Sequence, residues 1–189
     1  EELEDGQFGN YENVKYFGIR KNNESEELRE QVEVLYYNSK DDFAIKLKTK
    51  QEDEVILCKN PNGNTFSEIY QNIQQQESSY DGSKKLEEKE LLKIPNIKIN
   101  EKKEISEVEN EPFFFSNGES YMIEKALQTI QFDLDKKGGK IKSEAGMMVS
   151  KTALMPGESR EFAVDNTFAI FLKEEGKDNP YFAAKIDDI

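Results

Sequence analysis

The sequence predicts an α+β fold, mainly β, of antiparallel sheets with two short helices. Three observations lead there. Short apolar runs between 31 and 59 are separated only by turn residues, which makes an antiparallel meander the economical pairing. One stretch, 65–75, carries Phe66, Ile69, Tyr70 and Ile73 at spacings of three and four, the apolar stripe of a helix. Between 129 and 172 two apolar segments flank about two dozen residues without a core pattern. Connections in compact domains usually run about 4 to 6 residues, and structureless ones above roughly 12 to 15 tend to be functional or disordered.

Taken in order, Phe8, Tyr11, Val14, Tyr16, Phe17 and Ile19 stand among polar residues and glycines, giving a weak strand over 13–19 and then a charged turn over 21–27. Gln31-Val-Glu-Val-Leu-Tyr-Tyr37 reads as a strand and Asn38-Ser-Lys-Asp-Asp42 as a turn. Phe43, Ile45 and Leu47 alternate with Lys46 and Lys48, the pattern of a half-buried strand. A third strand spans 55–59, and Asn60-Pro-Asn-Gly-Asn64 supplies a cap for the helix over 65–75. The stretch 74–83 is polar enough for a flexible loop. In the strand Leu91-Leu-Lys-Ile-Pro-Asn-Ile-Lys-Ile99, Pro95 has no N–H to donate and marks an edge or a break. Past the charged residues 100–110, Pro112-Phe-Phe-Phe115 is expected to pack under a neighbouring element, an exposed docking patch being the other reading. Tyr121, Ile123 and Leu127 suit a short second helix over 120–127. Ile130, Phe132 and Leu134 alternate in the next strand, and 162–172 is a near-continuous apolar strand. A loop over 174–180 and the strand Tyr181-Phe-Ala-Ala-Lys-Ile186 close the chain as a hairpin.

With 189 residues, one domain is expected over 1–189, long enough to bury a sizeable core. Apolar residues make up 35% and charged ones 34%, and the formal net charge is −13. Nucleic acid and anionic membrane both need a basic field, so neither is expected as a partner. No run approaches the roughly 18 to 20 apolar residues of a membrane span, and Glu1-Glu-Leu-Glu-Asp5 is not a signal peptide. The compartment stays open: an exported form, extracellular or at the cell surface, would have lost its signal, and a cytoplasmic one would never have carried it.

Histidine is absent, which excludes histidine-based triads and histidine metal ligands. The single cysteine, Cys58, excludes an internal disulfide and clustered thiolate sites, and in Val55-Ile-Leu-Cys58 it reads as a buried thiol. No metal and no cofactor is expected. Catalysis would be left to carboxylates, lysine or tyrosine, and the chain is read as no enzyme. The carboxylate pairs Asp41-Asp42, Glu87-Glu88 and Asp187-Asp188 read as solvated faces. Gly138 and Gly139 are not a phosphate loop, because no lysine-serine/threonine pair follows them. Lys136, Lys137, Lys140 and Lys142 form the one basic cluster, which suits a solvated loop or an acidic partner.

A three-strand meander, a helix, Leu92-Lys-Ile-Pro95-Asn-Ile-Lys-Ile99, a helical turn and a strand ending at a glycine before a long loop resemble, in that order, the C-terminal half of a serpin. Phe162, Phe168 and Ala169-Ile-Phe-Leu172 are similar to the serpin segment after the reactive loop, with Thr167 where the family usually has proline. The last strand sits where serpins place theirs. The resemblance covers roughly 31 to the C-terminus, is best over 125–186, and leaves the N-terminal half of a serpin without a counterpart.

The resemblance implies an exposed reactive loop over 139–161. Its hinge would be Gly138, Gly139, Lys140, Ile141, Lys142, Ser143, Glu144 and Ala145, and its scissile region Lys151, Thr152 and Ala153. In an inhibitory serpin the cleaved loop inserts as a new strand into the large sheet A, dragging the acyl-enzyme with it. Here the hinge is charged where the family has mostly alanine and threonine, and burying those charges unpaired would cost several kcal/mol. Matching Ser143-Glu144-Ala145 to the family's Thr-Glu-Ala softens that objection and shortens the loop. The strands beside which a loop would insert belong to the half without a counterpart. The expected function is therefore that of a serpin-like, non-catalytic binding protein that presents the loop to a protein partner, such as a protease, without the insertion transition. Two alternatives stay open: a serine or cysteine protease inhibitor, acting with a missing half or as a substrate mimic, and an acidic β-rich structural or interaction domain unrelated to serpins. A sheet edge left open by a missing half would favour pairing with a second chain.

Overall fold

A computed structural model describes residues 1–49, 53–104, 112–114, 116, 120–122, 127–135 and 159–189. The chain divides into two units, Glu1–Asn96 with Asp135–Ile189, and Ile97–Leu134.

In the first unit β4 (Val32–Ser39), β5 (Asp42–Lys48) and β6 (Asp53–Lys59) form the expected antiparallel meander. It continues through β13 (Phe168–Glu174) and β14 (Phe182–Ile186) into a five-stranded sheet of order β14-β13-β6-β5-β4. Successive side chains on a strand point to opposite faces, and both faces are used. Leu35, Ala44, Ile56, Cys58, Ala169 and Phe171 pack with Ile69, Tyr70 and Ile73 of helix α2 (Phe66–Ser79) in one core cluster. Their strand neighbours Val34, Phe43, Ile45, Leu57, Phe168 and Ile170 are also fully buried. β5 is thus covered on both faces along its first half, where alternation alone predicts a half-buried strand. Only from Lys46 onward does it open to solvent.

Helix α2 starts at Thr65, whose hydroxyl accepts the Glu68 N–H at 3.2 Å, while the Glu68 carboxylate accepts the Asn64 N–H at 2.7 Å. Capping of this kind satisfies backbone donors that a helix leaves orphaned. The helix runs on through Ser79, so most of the expected loop over 74–83 is helical. In this last turn, which carries no apolar residue, the hydroxyls of Ser78 and Ser79 donate to the carbonyls of Gln74 and Gln75 at 2.6 and 3.1 Å. A one-turn helix α1 (Glu26–Arg29), capped by Ser25, occupies part of the expected charged turn.

The segment read as a single strand over 162–172 is two. β12 (Glu161–Ala163) lies parallel to β7 (Leu91–Pro95), which pairs antiparallel with β3 (Tyr16–Ile19), whereas β13 belongs to the large sheet. The weak strand over 13–19 divides likewise into β2 (Tyr11–Val14) and β3, and β2 pairs with β1 (Gly6–Phe8).

In the second unit β8 (Ile97–Glu104) and β11 (Leu127–Leu134) pair antiparallel from Ile97↔Leu134 to Glu104↔Leu127. β7 ends at Pro95 and β8 begins at Ile97, so the proline marks a break between strands. The helix expected over 120–127 is not formed: Ser120–Met122 is strand β10, paired with β9 (Pro112–Phe114), and Leu127 already belongs to β11. Backbone pairing with neighbouring strands overrides a helical spacing of only three apolar residues. The fold remains α+β, mainly β, with two helices among the described residues, neither of which is long and apolar enough to cross a membrane.

Candidate functional site

β11 carries the chain to Leu134, and β12 receives it at Glu161. The hinge Gly138 to Ala145, the scissile region Lys151, Thr152 and Ala153, and the basic cluster of Lys136, Lys137, Lys140 and Lys142 all lie outside the described residues. Of the expected loop only 159–161 is described, and there the chain is tightly held.

Arg160 spends all of its N–H groups. Its Nε donates to Glu90 Oε1 at 2.6 Å. Nη1 reaches the Tyr80 hydroxyl at 2.8 Å and the Ser83 carbonyl at 2.6 Å, and Nη2 reaches the Lys85 carbonyl at 2.8 Å and Glu90 Oε2 at 2.9 Å. Such a fork on a carboxylate is the strong form of the charge-assisted bond. Glu90 is only 5% exposed, and its Oε2 also accepts the Glu87 N–H at 2.9 Å. Burial works against the guanidinium charge, but the hydrogen bonds and charge of Glu90 outweigh it, and the Arg160 pKa is raised. Two residues on, inside β12, the Phe162 ring lies 5.2 Å from the guanidinium carbon. That ring is fully buried and meets Tyr37 and Phe43 edge-on at 5.0 and 5.3 Å.

The crossing from β12 to β13 hangs on a second buried charge. Lys59, at the end of β6, is 2% exposed, and its ammonium lies 2.6 Å from Asp165, 3.1 Å from Asp41 and 3.1 Å from the Lys40 carbonyl. The Asp165 carbonyl takes the Gly9 N–H, and the Thr167 carbonyl takes the Asn60 N–H, both at 2.8 Å. Thr167 donates its N–H to Asn166 Oδ1 at 2.8 Å.

Two concavities border α2. One, of about 150 Å³, has Leu35, Ile56, Tyr70 and Ile73 at its base and an ion network at its rim. In that network Glu54 meets Lys173 at 2.8 Å and Lys46 at 3.2 Å, and Lys46 meets Glu33 at 2.8 Å. The other, of about 370 Å³, runs between Phe66, Tyr70 and Phe171 on one side and Pro180, Tyr181 and Phe182 on the other. Phe66 and Tyr181 expose 44% and 59% of their surface there.

Chemically these are holding arrangements. Burial pushes the Cys58 thiol up to about 11, and burial also raises the Tyr36 hydroxyl that lies 3.4 Å from it, so neither is an activated nucleophile at neutral pH. The carboxylates of Asp41, Glu87 and Asp187, read as solvated faces, each take part in a pairing: Asp41 with Lys59, Glu87 with the Ser83 hydroxyl, Asp187 with Lys185. Arg160, Glu90 and Lys59 carry no sequence motif. The one available signal was position: Arg160 is one of three arginines in the chain and stands two residues before the first core phenylalanine after the long segment.

No family model and no curated protein matches the sequence. Solved structures do. SRPN18 from Anopheles gambiae is 13% identical with a TM-score of 0.56, over 99% of this chain and 50% of that one. Thyroxine-binding globulin, in a complex with thyroxine, is 10% identical with a TM-score of 0.57, over 96% and 48%. The thermophilic serpin tengpin, in its native state, is 12% identical with a TM-score of 0.50, over 100% and 50%. The chain has a serpin-like fold and spans about half the length of the serpin structures that it matches.

Proposed function

We propose that the protein is a non-catalytic, serpin-like binding protein that presents segment 139–161 to a protein partner without inserting it into a sheet. The observation that carries this reading is the Arg160 clamp. A segment meant for display needs a fixed exit, and here the exit is tied by a saturated guanidinium, a buried carboxylate and a core phenylalanine. Insertion would drag Lys140, Lys142 and Glu144 toward a sheet interior, where unpaired charge costs several kcal/mol. A protease is the partner class that the fold favours, with Lys151, Thr152 and Ala153 as its contact region. Limited proteolysis followed by denaturing electrophoresis tests this. Cutting is expected first within 139–161, with no covalent protease complex. A detergent-resistant complex would replace display by inhibition, which is the runner-up, and a first cut elsewhere would remove the loop from the account.

A second reading rests on the groove between α2 and β14. Its volume and aromatic lining suit a small apolar or aromatic molecule. Equilibrium dialysis with thyroxine as the probe measures it: saturable binding that truncating the exposed groove residue, Tyr181→Ala, weakens supports a ligand role, and non-saturable uptake rejects it.

A further inference from the structure

Of all the asparagines in the chain, only Asn23 is followed at the second position by serine or threonine with no proline between, as Asn23-Glu24-Ser25. That is the acceptor pattern for N-linked glycans, which belongs on surface loops. Asn23 lies in the turn between β3 and α1, with Glu24 exposed and Asn23 and Ser25 half-exposed. The two ends of its side-chain amide are used differently. Oδ1 accepts the Ser25 N–H at 2.8 Å, while Nδ2, among the described residues, makes a single long contact of 3.5 Å with the exposed Glu1 carboxylate. The Asn23 carbonyl accepts from Arg29, and the Asn22 N–H donates to the Glu88 carbonyl at 2.7 Å, so the backbone of the turn is held while the one contact of the amide nitrogen is at the exposed surface.

We propose that Asn23 is a glycan acceptor whose donor is a lipid diphosphate-linked oligosaccharide. A bond forms between Nδ2 and the anomeric carbon of the first sugar, and the bond from that carbon to the diphosphate oxygen breaks. The lipid diphosphate leaves with the electron pair, and one amide proton is lost to base. No electrons change hands. The turn also touches the exit of the displayed segment, because Lys21 lies 3.9 Å from Glu161. A glycan there would shield one flank of that exit and leave its clamp untouched.

The test is secretion of residues 1–189 from a eukaryotic host behind a cleavable signal, read by intact mass before and after an endoglycosidase specific for N-glycans. A mass gain that the enzyme removes is expected. Asn23→Asp keeps an oxygen for the Ser25 N–H but offers no nitrogen, so it should fold like the parent, by circular dichroism, and carry no glycan. Ser25→Thr preserves both the acceptor pattern and the helix cap and should stay modified. An unmodified parent, or a glycan that survives Asn23→Asp, overturns the proposal. Neither result bears on which segment a protease cuts first, so the reading of 139–161 stands or falls separately.

Discussion

At the scale of single residues, a few buried polar groups hold the exit of the long segment, and each can be tested alone. Arg160→Met removes the guanidinium and leaves Glu90, 6% exposed at its side chain, as an uncompensated buried carboxylate. Breaking a buried pair from one side typically costs about 3 to 5 kcal/mol, and with the Arg160 side chain 15% exposed the loss is expected near the lower end, ~3 kcal/mol. Urea denaturation of the two proteins measures it. The double variant Arg160→Met, Glu90→Leu should recover part of the loss, since no charge is then left unpaired; a double variant no better than the single would refute the pairing as the cause. Cys58 makes a second residue-scale prediction. With its thiol raised to about 11 by burial, it should resist a disulfide exchange reagent at pH 8 in the folded protein and react at once in denaturant. Rapid labelling without denaturant would show that the packing of Ala44, Ile69 and Phe171 around it is not as tight as described.

At the scale of elements, what was legible was local. The meander β4-β5-β6, the helix stripe of Ile69, Tyr70 and Ile73, the break at Pro95 and the closing hairpin all follow from alternation, capping and turn residues within a few positions of one another. What escaped depends on partners far along the chain. The charged residues 101–104 form strand because β11 runs opposite them, not because of any pattern of their own. The apolar run at 162–172 divides because β7 claims Phe162 in parallel while β6 claims Phe168. The clamp of Arg160 on Glu90 joins residues 70 apart. Strand β3 does carry one local signature that chain order hides, the glycine at 18 that faces β7. Its φ is +156°, and a Cβ there would stand 1.9 Å from the Leu92 carbonyl oxygen, a backbone atom that cannot swing aside. Gly18→Ala should therefore destabilise by more than about 1 kcal/mol, with strand β7 and the parallel pairing of β12 disturbed with it. Thr65→Ala, which deletes the α2 cap, should cost only ~1 kcal/mol. Thermal unfolding that ranked the two the other way would count against the close approach of β3 and β7.

For the whole molecule the governing quantity is charge, 39 acidic against 26 basic side chains. Such an excess opposes the compact state by self-repulsion, and salt screens exposed charges over a Debye length of about 8 Å at physiological strength. Added salt at pH 7 should therefore raise the urea midpoint rather than lower it, because the pair that matters most, Arg160–Glu90, is shielded by burial. The pH dependence has two limbs. Burial works against the Glu54 carboxylate, but hydrogen bonds from Lys173 and Lys46 outweigh it and lower its pKa. A carboxyl with a lowered folded pKa stabilises fully above its unfolded value, ~4.3, and that contribution is lost as pH falls through the folded value. Burial likewise works against the Lys46 ammonium, yet Glu33 and Glu54 raise its pKa. Its contribution is complete below the unfolded value of ~10.4 and disappears as pH rises through the folded one. A plateau between about pH 5 and pH 10 is expected, with an acid limb that runs against the relief of surface repulsion in the same range. Glu54→Gln separates the two effects. It removes the linkage at Glu54 while leaving the other acidic residues in place, so its urea midpoint should fall less steeply than the parent's below about pH 4.3, although it starts lower at pH 7. Parallel acid limbs in the two proteins would mean that the ion network beside α2 contributes nothing to acid stability and that the limb belongs to other carboxylates.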